Sequence, residues 1–312
     1  MKTLGYLFWF LIFPGFLFSS AAGLAAGWVD RFLTARVQWR KGPPWYQNFV
    51  DVIKLLFYKE TVIPEQVSRP IFLGMPLVAL ASATLVSSAI LIINAAPGEG
   101  FLGDLIVMVY LLMIPAISLM LGAFSSANPL ASLGASREMK LMLSYELPFI
   151  IAVLVPVIKS GYAIKLGDII MAQSANGHII GSASGVISFV VMLLCVQAKL
   201  GYAPFDIAEA ETEIMAGVYI EYSGKALGIF KLAKAVMLFA LPVLMIILYF
   251  GGIVFSAEGL IKNIIQYILI LAVIVVIKNT NPRVRVDQAM KFFWGPVTVL
   301  AIISVALAYF KY

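Results

Sequence analysis

Sixteen consecutive positions, 206–221, hold five carboxylates: Asp206, Glu209, Glu211, Glu213 and Glu221. They lie in the stretch KLGYAPFDIAEAETEIMAGVYIEYSGK, which runs from Lys199 to Lys225. On a helix opened by Pro204, Asp206, Glu209 and Glu213 would share one face, and Glu211 would point elsewhere. Ile207, Ile214, Met215, Val218, Ile220, Phe205, Tyr219 and Tyr222 interleave with these acids, so much of the segment is expected to be packed. Packed carboxylates held close together raise one another's pKa and titrate as a set. Between membrane spans such a cluster is costly to ionise, and the usual reason to keep it is ion or proton handling. The plainer alternative is a solvated acidic face balanced by Lys199, Lys225, Lys231 and Lys234. A sixth acid, Glu146, stands in SYELP, two turns beyond Glu138 in apolar surroundings. There it must be ion-paired, solvated or neutral. An ion pair with an arginine and a part in proton passage are the two readings.

The elements that must position these groups are apolar. The chain has 312 residues, 62% hydrophobic and 12% charged, with a mean hydropathy of +0.99. Soluble domains are roughly a quarter charged, so the fold class is an all-α integral membrane protein. The formal charge of +6 comes without a long basic tract or an aromatic-basic platform, which argues against nucleic acid as a partner. Cys195 is the single cysteine and His178 the single histidine. Neither has the partners that a disulfide, an iron–sulfur cluster or a metal site needs. A solvated loop histidine is the expected role of His178. Without a glycine-rich nucleotide loop, no cofactor or metal is expected on this chain, and no catalytic centre of its own.

About eight spans are expected, at 4–28, 70–94, 101–125, 141–159, 179–200, 228–250, 259–278 and 292–310, in one transmembrane domain covering 1–312. Residues 1–28 carry a lysine, an apolar core and small residues as a signal peptide does, but an apolar length of about 25 residues suits a span. Loops after odd-numbered spans, with their flanks, hold all the cations except Lys2, Lys159, Lys165, Lys262 and Lys311. The positive-inside rule then puts the loops near 30–69, 126–140, 201–227 and 279–291 in the cytoplasm and both termini on the outer side of the cell (inner or plasma) membrane.

In the first of these loops, ARVQWRKGPPWYQ carries three cations beside a Gly-Pro-Pro turn. In the following NFVDVIKLLFYKE, Phe49, Val52, Ile53, Leu56 and Phe57 repeat at three and four, which predicts an amphipathic helix. That helix would lie on the bilayer or serve as a platform for a soluble partner. In the last loop, NTNPRVRVDQAMKFFW, Asn281-Pro282 marks a turn and the aromatic triplet an interfacial anchor.

ARVQWRKGPP, DVIKLLFYKE, GASREMKLMLSYELPF and APFDIAEAETEIMAGVYIEYSG, in this order, resemble the H (or first) membrane subunit of respiratory complex I and its relatives in membrane-bound energy-converting hydrogenases. The resemblance covers nearly the whole chain. It implies a subunit without a cofactor that joins a soluble redox arm to a membrane arm. It implies that Glu146, Asp206, Glu209, Glu211, Glu213 and Glu221 form a proton path. It also implies that Arg36, Arg40, Lys41, Arg137, Glu138, Arg283 and Arg285 meet the redox arm. Quinone-reducing members have a second Gly-Pro in the first loop. The compact Lys41-Gly42-Pro43-Pro44-Trp45 lacks it and looks like the hydrogenase branch.

The expected function is therefore that of a non-redox membrane subunit in an ion-translocating, ferredoxin-dependent oxidoreductase complex. Its expected partners are [NiFe]-hydrogenase-like large and small subunits with Ni–Fe and Fe–S centres, a ferredoxin-like Fe–S subunit, antiporter-like membrane subunits and the lipid bilayer. The quinone-binding H subunit of a NADH-quinone oxidoreductase-type complex is the alternative within the superfamily. An autonomous secondary ion transporter is the alternative outside it; the halves of the chain do not match as such transporters' repeats do.

Overall fold

The computed structural model describes residues 8–101 and 103–310, with the side chains of Glu99, Glu211 and Thr212 outside that description. The start of the first expected span and the cations Lys2 and Lys311 also lie outside it. The helices are α1 (Phe16–Val37), α2 (Gln47–Ile53), α3 (Arg69–Ala95), α4 (Asp104–Leu111), α5 (Ile114–Ser125), α6 (Pro129–Lys159) and α7 (Leu166–Asn176). They continue with α8 (Ala183–Lys199), α9 (Glu211–Ile214), α10 (Gly224–Phe250), α11 (Ala257–Thr280), α12 (Val286–Phe292) and α13 (Thr298–Tyr309).

Seven stretches among the described residues are long and apolar enough to cross a membrane: Phe8–Val37, Arg69–Ala95, Asp104–Phe124, Pro129–Lys159, Gly224–Phe250, Ala257–Thr280 and Val286–Tyr309. The eighth expected span is α8, apolar but only 17 residues long. α10 is the hub. It is apolar all round, and 83% of its most apolar window is buried, as expected of a helix enclosed by others. It touches α1, α3, α8 and α11. Gly23 lets α1 approach closely, because a Cβ there would lie 2.3 Å from the Ala235 carbonyl oxygen. Small residues at crossings do the same service in membrane bundles generally. α11 turns Ile261, Ile264, Ile265, Leu269 and Val273 outward, the face a lipid-contacting helix needs.

Three expectations about the loops are corrected. Residues 129–140, read as loop, are the first turns of α6. Asn128 caps them by accepting from the Leu130 N–H at 2.8 Å, and Pro129 sits where its missing N–H costs nothing. At 31 residues, α6 is about 46 Å long, well beyond the roughly 30 Å of hydrocarbon, so its first turns project from the lipid. The last span likewise starts early, at Val286, and loosens into a π turn over Phe293–Val297. Pro296 has no N–H to give there, and Thr298 Oγ1 donates instead to the Phe293 carbonyl at 2.6 Å. Finally, α7 is a helix inside a connection read as plain loop; its first N–H is met by Asp104 Oδ1, which accepts from Leu166 N at 2.8 Å.

The amphipathic helix after α1 is present, with a shifted register. Its last turn is a π turn, Lys54–Tyr58, which rotates Leu55 inward beside Val52. Ile53 and Phe57, on the predicted apolar face, are exposed.

Candidate functional site

The segment 200–223 leaves α8 at Gly201 and does not form the predicted helix; among its residues only α9 and a 3-10 turn, Gly217–Tyr219, are helical. Its apolar and acidic residues do not sort onto two faces of any helix. The chain instead buries Phe205, Ile207, Ala208, Ala210, Ile214 and Val218 individually. Its backbone is fixed from neighbouring elements. Gln197 Nε2 donates to the Ala203 carbonyl at 2.7 Å, and Val284 N–H donates to the Pro204 carbonyl at 3.1 Å. Gly134 of α6 lets the segment lie flush, since a Cβ there would meet Val218 N at 2.8 Å and Ala208 O at 2.9 Å. Tyr222 stacks on Phe72 with centroids 4.1 Å apart.

This packing leaves a cavity of about 70 Å³, whose polar lining is Glu138, Tyr145, Lys199, Asp206, Glu209, Tyr219 and Lys234; that is room for a few waters. Ion pairs ring it. Glu146 Oε2 takes Lys199 Nζ at 2.6 Å, both side chains being nearly sealed from solvent. The Lys199 ammonium also lies over the rings of Phe149 (4.5 Å) and Tyr145 (5.1 Å), a contact that steadies a desolvated cation. Glu209 pairs with Lys234, and Asp206 with Arg283 at 2.7 Å. Glu146 Oε1 and Asp206 Oδ1 are buried without a hydrogen-bond partner among the described residues. Such atoms call for solvent in the adjoining space.

Glu138 differs from the other acids. It is 8% exposed and faces Glu209 and Lys234, and it has neither a salt bridge nor a hydrogen bond among the described residues. Expected on the surface that meets a partner, it stands inside instead. The reason is helical: once α6 extends through 129–140, Glu138 falls on the face that carries Ala131, Gly134, Ala135 and Tyr145 inward.

A second line of polar groups reaches the site from α1 and α11. Asp30, Thr34 and Gln38 recur every fourth residue. Gln38 Nε2 donates to Asn279 Oδ1 (3.1 Å), Asn279 Nδ2 to Thr34 Oγ1 (3.2 Å) and Thr34 Oγ1 to Asp30 Oδ1 (3.4 Å). Asp30 binds Lys278 Nζ at 2.9 and 3.1 Å. Lys278 lies 4.4 Å from the Tyr202 ring centre, and Lys234 lies 5.5 Å from the same ring. Tyr202 thus joins the Asp30–Lys278 pair to the Glu209–Lys234 pair. Burial, and then the neighbouring Asp30 carboxylate, push the Tyr202 hydroxyl well above its ordinary range. Burial and the Glu209 and Glu138 carboxylates do the same for Tyr219. Both phenols therefore stay protonated and neutral.

The remaining expected site residues divide. Glu213 is largely exposed and pairs with Arg137 at 2.7 Å on the outside, away from Asp206 and Glu209. Glu221 accepts from Asn128 Nδ2 at the start of α6. The side chain of Glu211 lies outside the described residues. Arg36, Arg40, Lys41 and Arg285 are exposed, and Trp39 among them is 97% exposed. Arg283 bridges this rim to the cavity through Asp206. Sequence reasoning missed Asp30, Lys278 and Tyr202, and saw Lys199 and Lys234 only as counter-charges. Cations and acids near span ends read as topology signals; nothing local distinguishes a charge that turns inward.

Residues 10–309 match the family described as NADH dehydrogenase. The chain belongs to the NADH dehydrogenase family. It is 33% identical over 264 residues to the H subunit of NADH-quinone oxidoreductase from Anoxybacillus flavithermus, covering 83% of this chain and 78% of that relative. It is 30% identical over 317 residues to the same protein of Brevibacillus brevis, covering 97% and 93%. Its fold is similar to a chain in the structure of the membrane-bound sulfane sulfur reductase, an archaeal respiratory membrane complex. The TM-score is 0.86 at 28% identity, covering 97% of this chain and 99% of that one. This chain is accordingly a member of the family of the H-subunit type.

Proposed function

We propose that this chain is the membrane subunit of an ion-translocating, ferredoxin-dependent complex of the energy-converting hydrogenase type. In this reading it anchors a soluble redox arm and couples electron transfer to proton or ion movement. Clusters and any Ni–Fe centre reside on partner chains. The arm docks on the exposed face of Arg36, Trp39, Arg40, Lys41 and Arg285, which lies on the cytoplasmic side. The carrying observation is Glu138: a carboxyl inside the bundle without a cation of its own, sharing a small cavity with Glu209, Asp206 and Lys234. An ionised carboxylate held there is costly unless a cation moves toward it or a proton joins it. A change of charge on the docked arm therefore shifts the proton occupancy of the whole set, and Glu138 is the member free to respond.

Glu138→Gln is the decisive variant because it keeps the shape and strands no cation. In the assembled complex in sealed vesicles, electron transfer is expected to continue while ion transport falls by about tenfold or more, an effect of at least about 1.4 kcal/mol on the coupled step. Transport equal to the parent would overturn the reading.

Quinone reduction is the second reading, favoured by the names of the curated relatives. Against it, the cavity is about half of the roughly 150 Å³ that accommodates a benzene ring, and the first loop has the compact Gly-Pro-Pro form. Quinone-dependent turnover by the purified complex would decide for it.

A further inference from the structure

A separate groove of about 650 Å³ opens where the end of α2's π turn meets the first turns of α3 and α10. It shares no lining residue with the acid cavity. At its rim stand Lys59 and Lys225, both exposed, with Glu60 the one acid among its lining residues. Its floor is Phe57, Leu73, Leu77 and Ile229, with Phe57 77% exposed and Leu77 56%.

The rim is built, not draped. Lys225 N–H donates to Thr61 Oγ1 at 3.0 Å, and Val62 N–H donates to Ser223 Oγ at 2.9 Å. Gly224 has φ +49°, and a Cβ there would lie 2.4 Å from the Glu60 carbonyl oxygen. The 59–62 strap therefore rests directly on the start of α10 and keeps both lysines at one end of the groove.

The floor follows the spans. Leu77 is one turn, about 6 Å, deeper along α3 than Leu73, and Ile229 is one turn along α10 from Lys225. The groove is cationic at the membrane surface and apolar into the hydrocarbon. A soluble partner reaches the first part and not the second; a lipid has an end for each. Two lysines against one glutamate select a negative headgroup, since each basic residue near an anionic surface adds its own attraction.

We propose that this groove binds one anionic phospholipid, with the phosphate between Lys59 and Lys225 and an acyl chain along Leu73, Leu77 and Ile229. The site stands independently of the coupling mechanism proposed above. The test is the full chain reconstituted in nanodiscs of phosphatidylcholine with or without phosphatidylglycerol, followed by native mass spectrometry of retained lipid. The parent is expected to retain phosphatidylglycerol selectively. Lys59→Gln/Lys225→Gln should lose about thirtyfold of that preference while still holding lipid. Leu77→Trp, which fills the floor and leaves the lysines, should lose the retained lipid. If Leu77→Trp fails to fold, the exposed lysine pair decides alone. Retention without preference in the parent, or equal preference in the lysine variant, would overturn the site. So would a photo-reactive residue at position 77 that crosslinks to protein in the native complex instead of to lipid.

Discussion

The two ends of this bundle bury polar groups in comparable number and use them differently. At the end that carries the short connections, buried polar side chains hold backbone. Asn94 donates to the Ile253 carbonyl and accepts from its N–H, Gln173 caps Ile247 and Leu248, and Asp104 caps Leu166. At the charged end, side chains hold one another: Glu146 with Lys199 sealed from solvent, and Asp30 with Lys278, Glu209 with Lys234 and Asp206 with Arg283 partly buried. Asn94 and Gln173 carry no charge and Asp104 is tied to a backbone N–H, so the first set acts as struts. The second set consists of paired charges arranged about a cavity, and two of the pairs, Asp30–Lys278 and Glu209–Lys234, are joined through Tyr202. Burial alone therefore does not mark a working site; reciprocal contacts between titratable side chains do.

The difference can be broken most severely at Lys199. Lys199→Met leaves Glu146 buried and uncompensated, and should cost about 3–5 kcal/mol, read as a loss of thermal stability in detergent or of assembly. Adding Glu146→Leu should restore most of that stability, because a buried pair replaced by apolar groups of similar volume is often neutral. Ion transport should not return with it. If transport returned, the pair would be a strut like those at the other end.

Next in size is Asn94→Ala, which removes two hydrogen bonds to Ile253 and should cost about 2 kcal/mol. Transport per assembled complex should be unchanged. A transport defect at normal stability would blur the distinction between the ends. Glu213→Gln should leave transport close to that of the parent, because Glu213 is exposed and outside the cavity; a loss as large as that of Glu138→Gln would put it back in the proton path.

The smallest effect belongs to the exposed Arg31–Asp51 pair, 2.9 Å apart. Arg31→Ala should cost under about 1 kcal/mol and less in high salt. Burial raises the Asp51 carboxyl, but hydrogen bonds from Arg31 and Gln47 outweigh it, so Asp51 sits below its ordinary value. Its contribution is thus present above the ordinary carboxylate range and is lost as pH falls through the lowered value. Thermal melts of Asp51→Asn and the parent should differ at neutral pH and converge in acid.

The stretch 199–225 was recognisable as the centre of the chain, and its packing was legible from Ile207, Ile214 and Val218 between acids. Its conformation was not. A helical period put Glu213 beside Asp206 and Glu209, whereas tertiary contacts with Gly134, Phe293 and Phe72 set each residue separately and left Glu213 outside. Glu138 was visible as an acid near a span, but its inward direction depends on how far α6 extends. That is decided by Asn128 at its cap and by the absence of a proline in LASLGASREMK.

Hydropathy is a local sum, so the sequence alone determined that this chain crosses a membrane, roughly where, and which connections carry its charge. Family likeness followed from contiguous motifs for the same reason. Partnerships between charges were decided only in three dimensions: Glu146 and Lys199 are 53 residues apart, and Asp30 and Lys278 are 248 apart. An ion pair depends on separation in space and on the surrounding dielectric, and neither exists until α1, α6, α8, α10 and α11 have packed.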